Sequence, residues 1–219
     1  MPKRITYLQA RTDKNLDVFR AHWSTTHADI ARELPGVSAY RQNHVLESSL
    51  EPKIDRPYLV DGIVELWFAD EGVVQAGFAS EVADKLIIDE PEFLSGLTGG
   101  PVTAGSAQTR WPYKLWLLAR WNLAAEPDPC AVERWTRQQF EQYDGALGWG
   151  VNVLVPGAEL LRRSALLSEA QIPEVAVAIG FSEEVLAREA VRGVELHLDS
   201  APEALTTIHV YLAEELVII

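Results

Sequence analysis

Sulfur and positive charge are what this chain has least of. Its single cysteine, Cys130, rules out an internal disulfide; it follows Pro127-Asp128-Pro129, where a helix is expected to start. Lys and Arg total 19 against 32 Asp and Glu, giving a formal net charge of −13. A field of that sign repels phosphate, which argues against a nucleic-acid partner and equally against an anionic membrane surface. No apolar run approaches the roughly 18–20 residues needed to cross a bilayer. The N-terminal MPKRITYLQAR lacks the long apolar stretch of a secretion signal, so the expected location is cytoplasmic. The five histidines are scattered without Cys/His or His-x-x-x-His spacing, so no metal is expected. GxGxxG, P-loop lysine and G-x-S-x-G motifs are all missing.

What is there is a repeated plan. Residues 60–74, VDGIVELWFADEGVV, and 173–186, PEVAVAIGFSEEVL, are each an apolar strand ending in Phe, then a small residue, acids and a helix start. Phe68 aligns with Phe181, and Trp23 with Trp135 at nearly the same offset. That alignment sets Gln139 opposite His27 and Ala178 opposite Glu65, so chemistry is expected in the first copy and scaffold in the second. With 47% hydrophobic and 23% charged residues the chain is of ordinary globular composition. Strand–helix–strand, twice per half, is the split βαβ pattern. It predicts an α+β fold: two ferredoxin-like repeats, 1–105 and 106–219, packed sheet to sheet as an intrachain dimeric α+β barrel. Residues 47–59 read as a loop, and 89–112, rich in Pro and Gly, as an irregular joint.

A helix is predicted from about Asn15 to Leu34, with Leu16, Phe19, Trp23, Ile30 and Leu34 on its apolar stripe and His27 filling the gap. His22, rotated about 100° from Trp23, falls nearer the edge. On Ile63–Phe68, alternation sets Ile63, Glu65 and Trp67 on one face and Val64, Leu66 and Phe68 on the other. Glu65 is therefore expected inside the barrel. There it either makes a structural hydrogen bond to Tyr40, Gln42 or backbone, or has the perturbed pKa that acid–base chemistry uses. His27 is either a core histidine or a base paired with Glu65 or Asp61 near the barrel mouth. His44, on the second strand with Tyr40 and Gln42, could also point inward, and Trp67 could line an aromatic pocket.

Phe19-Arg20-Ala21-His22-Trp23, His27-Ala28, Leu34-Pro35-Gly36, Tyr40, Asn43 and Asp61-Gly62-Ile63-Val64-Glu65-Leu66-Trp67-Phe68 follow one another in the order of the EthD family, which residues 4–95 resemble. The second half resembles it only in outline, apart from the closing HVYLAEELVII; residues 103–110 of the first half are too polar for the family's last strand. The resemblance implies a dimeric α+β barrel like that of cofactor-free isomerases, cyclases and small monooxygenases. It implies His27 as base, Glu65 as its partner and Tyr40 as a catalytic hydrogen-bond donor. Asn43 would be a second donor, with Trp23 and Trp67 as the apolar wall of a site for a small hydrophobic substrate; His44 joins the substrate-binding candidates from its place on the second strand. The leading expectation is a cofactor-independent lyase or isomerase of aromatic, polyketide-like or lactone molecules. The alternatives are a cofactor-free or haem-associated monooxygenase of small phenols, and a non-catalytic hydrophobic-ligand carrier. The two-repeat chain could pair again as a homodimer.

Overall fold

A computed structural model describes residues 1–49, 59–104, 109–155, 158, 162–169 and 171–219. Strand β1 (Lys3–Ala10) leads into helix α1 (Leu16–His22), a π-helical turn (Trp23–His27) and α2 (Ala28–Ala31). Strands β2 (Val37–Ser49) and β3 (Gly62–Phe68) follow, then α3 (Glu71–Phe78), α4 (Glu81–Asp89) and β4 (Leu94–Ala104). The same order returns as β5 (Tyr113–Trp121), α5 (Pro129–Phe140), β6 (Ala146–Leu154), β7 (Val175–Phe181), α6 (Glu184–Glu195) and β8 (Leu205–Val217). The helix starts are chemically marked. Asn15, Asp70, Ser80 and Asp128 each accept a hydrogen bond from a backbone N–H of the first turn. Pro129 sits where a missing N–H costs nothing. Gly36, at φ +80°, turns the chain out of the first helical segment.

The strands close into a single barrel in the order β1-β3-β2-β8-β5-β7-β6-β4. The expected intrachain α+β barrel forms, and the two four-stranded sets join edge to edge. One seam is long, β2 on β8 from Arg41↔Val217 to Ser49↔Val210; the other is short, β4 on β6 at Val102↔Leu154 and Ala104↔Val153. Two expectations need correcting. Residues 94–104 form β4 rather than part of a joint. Its glycines hide the strand period, and Gly99 is needed because β1 lies so near: a Cβ there would meet the Ile5 carbonyl at 2.3 Å. β2 also runs on to Ser49, and the rest of the expected 47–59 loop up to residue 58 lies outside the described residues. Among the described residues no helix is long and apolar enough to cross a membrane.

Inside the barrel Ile5, Tyr7, Ile63, Trp116, Leu118 and Tyr211 form one apolar cluster. Beside it lies a set of charges. Glu65 accepts from Lys3 Nζ at 2.7 Å, from Lys114 Nζ and from Asn43 Nδ2 at 3.2 Å. Lys114 also reaches Glu215 at 2.6 Å, and Lys3 donates to Asn152 Oδ1 at 2.7 Å. The strand registers show this cluster to be nearly two-fold symmetric. Lys3 faces Trp67 as Lys114 faces Gly180, and Asn43 faces Ile63 as Asn152 faces Ala176. Each Asn donates to the carbonyl of that facing residue. Glu65 has no counterpart, because Ala178 occupies its place, and the second carboxylate on Lys114 is Glu215. Burial pushes the Glu65 carboxyl up, but Lys114 and Lys3 outweigh burial and hold it well below the usual carboxylate range.

Outside the sheet, α5 and α6 bury Val132, Trp135, Val191 and Val194 against Leu115, Val177 and Leu212. On the other side α1, α2 and α4 cover Tyr40, Val64 and Leu97 with Phe19, Trp23, Leu34 and Leu86.

Replacing Glu65 by Gln strips the charge from between two buried lysines, a change expected to cost roughly 3–5 kcal/mol. Because its folded pKa is depressed, Glu65 contributes its full stability above the unfolded value near about 4.3. That contribution is lost progressively as pH falls below it. Urea unfolding should therefore show a wide gap between wild type and Glu65→Gln at pH 7 that narrows at pH 3; an equal gap at both contradicts the account. A second substitution reads the packing of the first helix. A Cβ on Gly62 would lie 2.6 Å from Trp23 Cζ3, so Gly62→Ala should cost about 1–3 kcal/mol by overpacking and change the near-UV tryptophan dichroism.

Candidate active site

The π-helical turn decides where the first helix's histidines point. In an unbroken α-helix His22 and His27, five residues apart, would diverge by about 140°. The wider turn at Trp23–His27 brings them onto one carboxylate. Asp89, the last residue of α4, receives His22 Nε2 on Oδ1 at 2.8 Å and His27 Nδ1 on Oδ2 at 2.9 Å. The Phe93 ring packs against both imidazoles, at 4.8 and 5.0 Å between centroids. Burial works against the Asp89 charge, but the hydrogen bonds from His27 and His22 outweigh it and keep its pKa below the ordinary value. An ionised Asp89 assigns the proton to His27 Nδ1 and leaves Nε2 basic, the arrangement of an oriented general base.

His27 forms part of the wall of a chamber of about 60 Å³ between the helices and the outer face of the sheet. Tyr40, Val64, Leu66, Leu86 and Glu90 share that wall. Tyr40 is set from behind: its hydroxyl accepts from Trp23 Nε1 at 3.0 Å and Gln42 Nε2 at 2.9 Å. With both lone pairs engaged, its own proton is the one left to donate. Burial dominates and holds the Tyr40 phenol protonated well above its ordinary pKa. Gln42 is fixed in turn by donating to the Trp23 carbonyl at 2.7 Å and accepting from His44 Nε2 at 3.0 Å. Burial, with Arg20 adding to it, pushes His44 down to about 4, so it is a neutral donor at pH 7. An adjoining cleft of about 780 Å³ shares Phe78 and Arg163 with the chamber.

The sheet divides the residues expected at the site. Trp23, His27, Tyr40 and His44 lie on the helix side, while Asn43, Glu65 and Trp67 lie inside the barrel. The expected His27–Glu65 pair is therefore not formed, and neither is a Glu65–Tyr40 bond. Tyr40 pairs across the ladder with Leu66, and Arg41, not Tyr40, pairs with Glu65. Residues paired across a ladder share a face, so Tyr40, Gln42 and His44 point to the helices. Asp61, the other expected partner of His27, instead accepts from the Ala10 N–H at 2.8 Å. Trp67 carries Lys3 Nζ 4.6 Å over its ring and lines no pocket with His27. Trp23 and His44 stack on each other at 4.4 Å behind Tyr40 rather than on the chamber wall.

Sequence reading missed Asp89 and the inward lysines, and it named Gln42 only beside Tyr40 and His44 and as a hydrogen-bond partner for Glu65. The lysines left a signal: Lys3 continues the inward series Ile5 and Tyr7, and Lys114 precedes Trp116 and Leu118 in the same phase. A buried lysine demands a carboxylate, which was Glu65. Asp89 left none, because it is brought to His27 only by the π-turn.

Among the described residues no group of three or more His, Cys, Asp or Glu side chains is arranged to hold a metal ion. Neither of these two cavities pairs a haem-sized space with a histidine among its described wall residues. The chamber beside His27 is far below the roughly 300–1,000 Å³ of ligand pockets. The larger cleft has no histidine among its described wall residues.

Residues 11–96 match the EthD domain model. No curated protein matches the chain in sequence. Solved structures do match in fold. A candidate monooxygenase from Lactobacillus acidophilus NCFM is 11% identical with a TM-score of 0.53, over 99% of this chain and 94% of the other. An anthrone oxidase-like protein is 8% identical with a TM-score of 0.56, over 99% and 92%. A candidate chlorite dismutase is 7% identical with a TM-score of 0.55, over 99% and 96%. These identities speak for a shared fold. The names nonetheless correct the lyase or isomerase expectation, since those of the first two structures are oxidative, and the base–carboxylate pair on which that expectation stood is absent. Over residues 11–96 the chain thus carries the EthD match that its sequence motifs implied.

Proposed function

We propose that this protein is a cofactor-free oxygenase of small phenolic, anthrone-like aromatics, with its chemistry in the chamber between the first helices and the sheet. The observation that carries this reading is His27, held by Asp89, on a chamber wall that it shares with Tyr40. Oxidation of an electron-rich phenol needs little from the protein beyond removing a proton, holding the resulting anion and excluding bulk water. His27 Nε2 takes a proton from the methylene carbon that lies across the central ring from the carbonyl and is conjugated with it, and Asp89 stabilises the imidazolium that forms. Tyr40 donates to the enolate oxygen and keeps its charge in place.

The carbanion then passes one electron to dioxygen, and the radical pair combines to form a C–O bond. The peroxide anion takes a proton and becomes a hydroperoxide. Loss of the second C–H proton breaks the O–O bond, leaving a carbonyl and releasing water. The sum is CH₂ plus O₂ giving C=O plus H₂O, with two electrons leaving each of the two broken C–H bonds. A chamber of about 60 Å³ admits the reacting edge and dioxygen, so the rest of the ring system lies in the adjoining cleft.

An oxygen electrode with dihydroxyanthrone as substrate tests the reading. The expected result is one dioxygen consumed per quinone formed, with His27→Ala slowed by about 10²–10⁴-fold. Tyr40→Phe should lose about a hundredfold. No enzyme-dependent uptake, or an unchanged rate in His27→Ala, overturns the assignment.

A further inference from the structure

The cleft next to the chamber has a chemistry of its own. Its floor and sides are apolar at Val74, Phe78 and Pro101, yet three guanidinium groups, Arg4, Arg162 and Arg163, stand on its wall. Among the described wall residues the one carboxylate is Glu71. Glu90 pairs with Arg163, and Arg162 has no carboxylate partner among the described residues. A guanidinium so placed attracts anions toward the opening, in a chain whose net charge is −13.

Arg163 is the fixed member of the set. Its Nε and Nη2 donate to the two oxygens of Glu90, at 2.6 and 3.2 Å, and the Glu90 side chain is only 6% exposed. That bidentate grip leaves Nη1, which has no partner among the described residues, with two N–H groups to offer. Arg163 borders both the cleft and the chamber, so an anion held there is tethered at the neck between them. Arg4 lies 5.1 Å over the Phe78 ring, making that wall both aromatic and cationic.

Resting on the oxygenase reading, we propose that the cleft binds the distal carboxylate of an aromatic substrate. The preferred substrates are then phenolic polycyclic acids rather than their neutral counterparts, with Arg163 and Arg162 recognising the carboxylate while the reacting edge enters the chamber.

Binding alone tests this, independently of turnover. Calorimetry compares dihydroxyanthraquinone with its ring-carboxylate derivative on the wild type, Arg162→Gln and Arg163→Gln. The carboxylate should bind roughly fivefold tighter to the wild type, the size of a partly exposed ion pair. That preference should shrink in both variants and at high salt. Because Arg163→Gln also unpairs Glu90, the exposed Arg162 supplies the variant that leaves the fold untouched. Equal or weaker binding of the carboxylate overturns the inference, as does a preference that survives in both variants. Failure of both ligands to bind overturns it too. None of these outcomes alters oxygen uptake with neutral dihydroxyanthrone, which judges the oxygenase reading separately.

Discussion

One carboxylate held between two lysines determines where this protein can work. Glu65, Lys3 and Lys114 come from strands of different halves, and all are at most 3% exposed. Charges so deeply desolvated must stay paired, since losing a partner costs far more than the pair's net contribution. The barrel therefore closes around them, with Asn43 and Asn152 completing their hydrogen bonds and Tyr7, Trp116 and Tyr211 filling the remaining interior. That cluster occupies the interior among the described residues. The chamber beside His27 and its adjoining cleft lie instead on the outer face of the first half's sheet.

The halves use that outer face differently. In the second half a regular α5 carries Trp135 and Gln139 where the first has Trp23 and His27, and Gln139 accepts from Tyr143. Leu115, Val132, Val177 and Val194 pack the space beneath it. In the first half the helix widens into a π-turn, a conformation that recurs at functional sites, and Asp89 holds two histidines there. The inner faces stayed alike, in Lys and Asn if not in Glu, while the outer faces diverged. Closure constrains the inside of a barrel more tightly than the outside.

Much of the fold was legible because it rests on period and repetition. Val175–Phe181 and Ile63–Phe68 read as strands, the Phe68–Phe181 alignment located the repeat, and alternation correctly placed Glu65 inside. The site was legible only by halves. His27 and Tyr40 were named, and both reach the chamber wall. Their partner was misread because alternation says which residues share a face but not whether that face meets helices or the interior. For Ser38–His44 both series, Tyr40-Gln42-His44 and Arg41-Asn43, carry polar side chains, so period alone could not choose. Asp89 was out of reach for a different reason: its contact with His22 and His27 depends on a local change of helical pitch that no spacing rule anticipates.

The central claim is one of place: the reacting group meets His27 and Tyr40 outside the barrel, not Glu65 within it. A crystal structure of the protein soaked with dihydroxyanthraquinone, a product-like ligand, tests this directly. The account predicts a quinone oxygen about 3 Å from His27 Nε2 or the Tyr40 hydroxyl, a hydrogen-bond distance, with the rings extending into the cleft past Phe78. Density for the ligand inside the barrel against Glu65, or on the second half's outer face, would contradict it.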